Sequence, residues 1–477
     1  MRLTITTTNQ DLASALADQG IKLDLRCGGR GICGRCRVSL LSGAWLIDNV
    51  RHTINPSSPL SALACRCRLA SGTGDIEVPD SARSETNIQA SSSWRSRPLP
   101  VNHGTVIGID LGTTTVAAVK IINGIPVDEA GCFNRQNAFG DNILTRIQKA
   151  GTPAGLDILR RAAVDSINAI LAKLDATDVT SLAVAGNTVM SCLLHGIDPT
   201  PIGALPFTPP CRVFPTRPAR DLGLNAPGDV LTMPAISGYV GGDLTAGINE
   251  VKLGPAEMLV DIGTNCEIIF NLGDGRLVCA AAAAGPAFEG AGLSCGCRAS
   301  HGAIDHIAAD GTFTVIGGDN VPPHGLCGSA MIDFLAIGQA SGRLNQFGRF
   351  QPSAPSFTLA PEIVITEKDI EQILKAKAAV RAGIETLAHH CQTAPRKIFL
   401  AGGFAQYLDL ANAIAIGMLP PGDHVLVGNT SLGGAARLAA QPESLPALIK
   451  LSNQPRELAL NTLEGFENAY IDALMLN

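Results

Sequence analysis

Val260-Asp261-Ile262-Gly263-Thr264-Asn265 repeats, 151 residues further along, the pattern of Ile109-Asp110-Leu111-Gly112-Thr113-Thr114-Thr115. Each stretch is an apolar run that ends in an Asp and is followed by Gly and Thr. A strand ending this way turns back as a hairpin whose backbone N–H groups and hydroxyls are open to phosphate oxygens. The Asp at the strand end can hold Mg²⁺ through water. A third turn, Phe399-Leu400-Ala401-Gly402-Gly403-Phe404, places a glycine pair after another apolar run. One such turn recurs by chance, but two hairpins at this separation followed by Ala-Gly-Gly predict two related lobes closing on one nucleotide. Asp110 and Asp261 are the expected Mg²⁺ groups. Gly112, Thr113, Thr114, Gly263, Thr264 and Asn265 are the expected phosphate contacts, with Gly402 and Gly403 over the adenosine. No G-x-x-x-x-G-K-[ST] run is present and no G-x-G-x-x-G follows a strand, which excludes a P-loop enzyme and a dinucleotide fold.

From Thr105 onward, short β-rich runs alternate with Ala/Leu/Ile-rich helices, the pattern of an α/β architecture. Pro199 to Pro218 is a long connection within it, and 441–477 reads as a surface helix and tail without legible chemistry. The chain has 477 residues, 16% charged and 46% apolar, which asks for two or three domains. A net charge of −6 argues against nucleic acid as a partner. No apolar run reaches the roughly 18–20 residues that span a bilayer. Met1 to Gln10 lacks the charged and apolar regions of a secretion signal, and a cytoplasmic location follows by elimination.

Fourteen cysteines divide unevenly: five fall within Cys27–Cys67 and nine are scattered. Cys27-Gly-Gly-Arg-Gly-Ile-Cys33-Gly-Arg-Cys36 has C-x5-C-x2-C spacing, with Cys65 following later. Three thiolates on a glycine-rich loop plus a distant fourth suit a [2Fe–2S] cluster, because the loop can wrap an object wider than one ion. The spacing is one residue longer than the plant-type C-x4-C-x2-C. Zinc knuckles pair C-x2-C with a second close pair, whereas Cys65-x-Cys67 is too tight for that. The expected ligands are Cys27, Cys33, Cys36 and Cys65, with Cys67 as the competitor for the fourth place. Around them Leu3 and Ile5 predict a strand, Asp11–Gln19 a helix, Val38 and Leu40 a second strand, and Ile76 and Val78 a closing one. Residues 1–79 carry nine Lys/Arg against six Asp/Glu, so this module is +3 and the remainder −9. Positive charge there favours a reduced cluster and steers an acidic redox partner. Residues 80–103, with six serines and two prolines, read as a flexible linker.

The three turns resemble the phosphate-1, phosphate-2 and adenosine motifs of the superfamily of acetate and sugar kinases, heat-shock chaperones and actin. More narrowly, the chain resembles the ferredoxin-fused reductive activators of corrinoid proteins. Supporting segments are Asn134–Asp141, Ala185–Thr188, Gly238–Asp243, Ala284–Gly296, Gly325–Ser329 and Val427–Gly434, which cover most of 105–437. The resemblance implies an α+β ferredoxin-like (β-grasp) [2Fe–2S] domain over 1–79, then the linker, then a two-lobed α/β actin-like (ribonuclease-H-like) ATPase over 104–440. It implies an ATP-dependent activator that passes one electron to a corrinoid protein and reduces Co(II) to Co(I). Expected cofactors are the cluster, ATP and Mg²⁺. Expected partners are a corrinoid (cobalamin-binding) protein or methyltransferase and an external electron donor, with a homodimer allowed for and no nucleic acid or membrane. Two features depart from the family. Ser96–Asn102 runs almost directly into the first ATPase strand where larger members carry an extra domain. The ferredoxin module also reads as minimal or starting late, since Leu3–Thr7 leads straight into the helix.

Asn187, Glu267 and Glu289 are unranked candidates for orienting the attacking water. Asp243 could act near Mg²⁺, although an Asp opening a helix is more often an N-cap. Cys295, Cys297 and Cys327 lack a fourth partner at proper spacing for a second cluster and read as small buried cysteines. Rival functions are an ATP-driven electron donor of the acyl-CoA dehydratase activator type, a chaperone-like cobalamin reactivase, and a kinase.

Overall fold

The two Asp-Gly-Thr stretches occupy equivalent turns in two six-stranded sheets that share their order over five strands. In the first sheet, Thr105–Leu111 pairs antiparallel with Thr115–Ile122, which pairs antiparallel with Ile125–Phe133. On its other side Thr105–Leu111 pairs parallel with Val179–Ala185, which pairs parallel with Asp229–Thr232. In the second, Glu257–Ile262 pairs antiparallel with Cys266–Asn271, and that with Leu277–Ala282. Glu257–Ile262 then pairs parallel with Lys397–Ala401, and that with Asp423–Gly428. Runs such as Ile107, Ile109 and Leu111, or Met258, Val260 and Ile262, are fully buried, as strands covered on both faces must be. The structure is a computed structural model that describes the chain except residues 7–9, 22, 24, 26–28, 30, 32–35, 80–81, 83–96, 141, 319, 362 and 477. It divides into Met1–Asn87 with Gln136–Asp141, and Ile88–Arg135 with Asn142–Asn477.

Helix Gly242–Val251 follows Asp229–Thr232 of the first sheet, yet its Leu244 and Ile248 pack with Leu259, Ile269 and Val427 of the second. Helix Thr430–Ala440 follows the fifth strand of the second sheet and buries Leu432, Ala435 and Ala436 against Val106, Val119 and Ala183 of the first. The two helices cross with Gly434 against Ala246, where a Cβ on Gly434 would stand 2.6 Å from the Ala246 Cα. Only glycine allows so close an approach.

Behind this crossing Glu250 is fully buried. Arg437 Nε donates to one of its carboxylate oxygens at 2.9 Å and Nη2 to the other at 3.2 Å. Arg97 donates to the carbonyls of Glu250 and Asn249, and Arg437 to the carbonyl of Pro98. The end of the expected linker is therefore held in place rather than loose. The expected surface tail also differs. Pro455–Glu457 joins the second sheet beside Leu277–Ala282, Leu460 and Leu476 enter the core, and the fully buried Lys377 donates to the Met475 carbonyl at 2.6 Å. The tail's apolar residues are spaced too irregularly to announce this.

In the N-terminal unit, the predicted strands are present as Arg2–Thr6, Arg37–Leu40 and Thr73–Glu77, joined by Leu60–Leu63 in the order first, last, second, then Leu60–Leu63. Helix Leu12–Asp18 is capped by Asp11, whose carboxylate accepts from the Ser14 N–H at 3.0 Å. A second, three-stranded sheet of Gly43–Ile47, Val50–Ile54 and Cys67–Ser71 was not anticipated. Its centre is the fully buried Trp45, whose indole N–H donates to the Ser42 carbonyl at 2.8 Å.

Removing one partner of a buried ion pair strands the other. Arg437→Ala is expected to lower stability by about 3 kcal/mol or more, read as a shift in the urea midpoint with the iron content unchanged.

Candidate functional site

The first hairpin turn, Gly112–Thr114, is held from behind. Asn134 Nδ2 donates to the Gly112 carbonyl at 2.9 Å, its N–H to the Thr114 carbonyl at 3.0 Å. Arg146, fully buried on helix Ile143–Ala150, donates from Nη2 to the Thr113 carbonyl at 2.5 Å and from Nη1 to the Met190 sulfur at 2.9 Å. All three carbonyls of the turn are thus engaged from behind. The second turn closes on itself through the Gly263 N–H to the Asn265 carbonyl at 2.9 Å.

The two turns meet. Thr114 Oγ1 lies 3.2 Å from Thr264 Oγ1, and Thr264 donates to Glu289 Oε1 at 2.7 Å. A hydroxyl has one hydrogen, so Thr264 accepts from Thr114. This contact joins the lobes where the phosphates were expected, and it draws Glu289 to the second hairpin.

Asp110 accepts from Asn429 Nδ2 at 2.9 Å and from Ser431 Oγ at 2.7 Å, both at the start of helix Thr430–Ala440. Surrounding protein pushes its pKa up against those two hydrogen bonds. Asp261, at the matching place on the second sheet, is pushed to about 8 by burial and by the charges of Asp243 and Asp110. Burial, aided by Asp110, raises Asp243 to about 7. Glu267, opposite Asp261 in the hairpin, is raised by burial and by Asp243 and Asp261. Asp243 is not the helix cap: Gly241 holds that place, and Asp243 stands two residues in, its carboxylate accepting from the Leu244 N–H at 2.9 Å. Carboxyls held this way prefer either a proton or a cation. Among the described residues no three His, Cys, Asp or Glu side chains form a direct ligand set. The hard oxygen donors fit Mg²⁺ bound through its waters.

Asn187 caps helix Thr188–His195, Oδ1 accepting from the Val189 N–H at 3.0 Å. Its Nδ2 is buried without a hydrogen-bond partner among the described residues. It follows the fourth strand of the first sheet, as Gly402 and Gly403 follow the fourth of the second. Gly402 has φ +100°, and a Cβ there would stand 2.9 Å from Asp261 Oδ1, while nothing lies within 4 Å of one on Gly403. Phe404 beyond it stacks on Phe288 at 4.5 Å.

In the N-terminal unit, Cys27 and Cys33 lie outside the described residues. Cys36 Sγ is 3.3 Å from Cys65 Sγ, and the Ala64 N–H donates to the Cys36 carbonyl at 2.8 Å. Cys65 is partly exposed, whereas Cys67 begins a strand and is buried in the core. Burial, with the nearby Asp48 and Cys36 charges, pushes the Cys67 thiol up to about 12. Two adjacent thiols of this kind fit one iron of a cluster. Cys297 and Cys327 form a small apolar group with Ala303.

Arg146, Asn429 and Ser431 carry contacts to Thr113 and Asp110 that sequence reasoning does not find. The last two lie inside the Val427–Gly434 segment, so proximity in the motif was an available signal. Arg146 carries none.

Comparison with known proteins adds three matches to family descriptions: "2Fe-2S iron-sulfur cluster binding domain" over residues 2–70, "RACo middle region" over 105–255, and "C-terminal domain of RACo the ASKHA domain" over 256–477. The corrinoid activation enzyme RamQ of Eubacterium limosum is 31% identical over 70% of this chain and 63% of its own length. The match therefore spans a little under two thirds of that enzyme. A [Co(II) methylated amine-specific corrinoid protein] reductase of Methanosarcina barkeri is 27% identical over 76% of this chain and 73% of its own. A solved reductive activator for corrinoid, iron-sulfur protein superposes with TM-score 0.73 at 27% identity, covering 99% of this chain and 96% of that one. Among the described residues no helix is long and apolar enough to cross a membrane.

Cys65→Ser is expected to lose the iron on anaerobic purification and Cys67→Ser to keep it, counted as iron and sulfide per chain. A second expectation concerns pH. Asp243 and Asp261 hold protons in the folded chain up to about 7 and 8 but only to about 4 unfolded. The folded state thus binds more protons between those limits, and metal-free protein should lose stability as pH rises from about 5 to 8. Melting curves across that range should show the fall, and Mg-ADP should flatten it.

Proposed function

We infer, for a chain that belongs to the RACo family of ferredoxin-fused activators, that it uses ATP to drive one electron onto a corrinoid protein, taking Co(II) to Co(I). The observation that carries this is the Thr114–Thr264 contact, which brings the two hairpin turns together on a chain that also carries a 2Fe-2S domain. A one-electron domain and a two-state ATPase on one polypeptide make sense if nucleotide controls electron transfer. The names of the similar proteins, which act on corrinoid proteins, support the same substrate class.

For a one-electron step, each ~59 mV uphill is a tenfold penalty. ATP offsets this by binding two protein states unequally. Gly112–Thr114 and Gly263–Asn265 hold the phosphates between the lobes, and Asp110 and Asp261 hold the waters of Mg²⁺, which neutralises phosphate charge when bound. Gly402 and Gly403 leave room for adenosine. Glu267, grouped with Asp243 and Asp261, is the best placed of the candidates to orient the attacking water. Asn187 offers its unpartnered Nδ2 to a water from the other side, and Glu289 serves Thr264. The [2Fe–2S] cluster, on Cys27, Cys33, Cys36 and Cys65, supplies one-electron carriage when bound. We take residues 1–79 as this domain, 80–103 as a tether fixed at its Arg97 end, and 104–477 as the ATPase. The electron comes from an external donor.

The test is visible spectroscopy of a Co(II) corrinoid protein after adding reductant, this protein and Mg-ATP. Growth of the Co(I) band with ATP and little without it is expected. Equal reduction with and without ATP would remove the gating role, and no reduction of any corrinoid protein of the host would favour a non-corrinoid acceptor.

A further inference from the structure

Arg298 lies against both halves of the phosphate site. Its guanidinium carbon is 4.2 Å from the centre of the Phe133 ring, and its Nη2 is 3.9 Å from Glu289 Oε2. Phe133 pairs in register with Thr115, the residue after the first hairpin turn, on the first sheet. Glu289 accepts the Thr264 hydroxyl of the second. The contacts therefore form a closed ring across the two lobes: Thr114 to Thr264, Thr264 to Glu289, Glu289 to Arg298, and Arg298 to Phe133 beside the first turn. The Arg298 side chain is only 14% exposed, so its charge acts where water screens weakly.

We propose that Arg298 is the residue that distinguishes the terminal phosphate of ATP from ADP and ties that phosphate to lobe closure. This rests on the Thr114–Thr264 gap being the phosphate site. A phosphate entering the gap takes the Thr114 and Thr264 hydroxyls, so the direct contact between the lobes opens and Glu289 loses its donor. Glu289 then has Arg298 as its cation, and the same planar fork can donate to Glu289 and to a phosphate oxygen together. Phe133 keeps the fork beside the first hairpin through a cation–π contact. ADP brings less charge to this edge and leaves the ring nearer its ligand-free form. Arginine suits this task and lysine does not, because an ammonium neither stacks flat nor donates in a fork.

The experiment is calorimetric titration of the full chain, cluster loaded, with Mg-ATP and with Mg-ADP. For Arg298→Ala, the Kd for Mg-ATP is expected to rise about 10- to 100-fold, the range of one charge-assisted hydrogen bond, and that for Mg-ADP less than about threefold. Arg298→Lys should recover only part of the loss. Phe133→Leu keeps the charge, removes the stack, and should show the same ATP-selective loss in smaller measure; it carries the test if Arg298→Ala does not fold. Equal weakening of both nucleotides, or none, in folded variants overturns the proposal while leaving the phosphate site intact. Wild-type protein that binds neither nucleotide overturns the phosphate-site reading and the proposal with it.

Discussion

Everything in the larger unit depends on the exchange of two helices between two sheets. Helix Gly242–Val251 leaves the first sheet to cover the second, and helix Thr430–Ala440 does the reverse. Their crossing at Ala246 and Gly434 is so close that neither can move without the other. Asp243 lies in the first turn of the first of these helices, and the Asn429 and Ser431 that hold Asp110 lie at the start of the second. Near their other ends Glu250 and Arg437 join, and the same arginine holds the Pro98 carbonyl, where the chain arrives from the ferredoxin side. Site and anchor are thus opposite ends of one packed pair.

Charge imposes a second constraint. Burial raises the pKa of Asp110, Asp243, Asp261 and Glu267, and the charge of Asp110 adds to the rise at Asp243 and Asp261, as those of Asp243 and Asp261 do at Glu267. Such a group is costly while unneutralised and gains most from a cation. It thereby favours binding of a phosphate ligand that brings its metal along. Arg146 holds the Thr113 carbonyl behind the first turn, and Arg298 pairs with the Glu289 that accepts from Thr264 of the second.

How much of this was legible follows from which forces leave local marks. A hairpin that presents backbone to a ligand must be short, apolar before the turn and small within it, so Asp110–Thr114 and Asp261–Asn265 could be read directly. The duplicated strand order follows from the same repeat. Contacts between distant segments leave no such mark: Arg146 looks like any helical arginine until the fold turns it inward. Asp243 was weighed as a cap because caps share its composition, yet Gly241 takes that place. Pro455–Glu457 is too short to be recognised as a strand without its partner Leu277–Ala282. Cys65 and Cys67 could not be separated by spacing; a turn of Ala64–Arg66 leaves one partly exposed while the following strand buries the other.

In this reading, one nucleotide is held jointly by two hairpins from two lobes. A crystal structure of the protein with Mg²⁺ and a non-hydrolysable ATP analogue tests it most directly. The phosphates are expected between Thr114 and Thr264, with the two hydroxyls parted and the metal's waters on Asp110 and Asp261. A nucleotide bound to one lobe alone, with Thr114 and Thr264 still in contact, would contradict it.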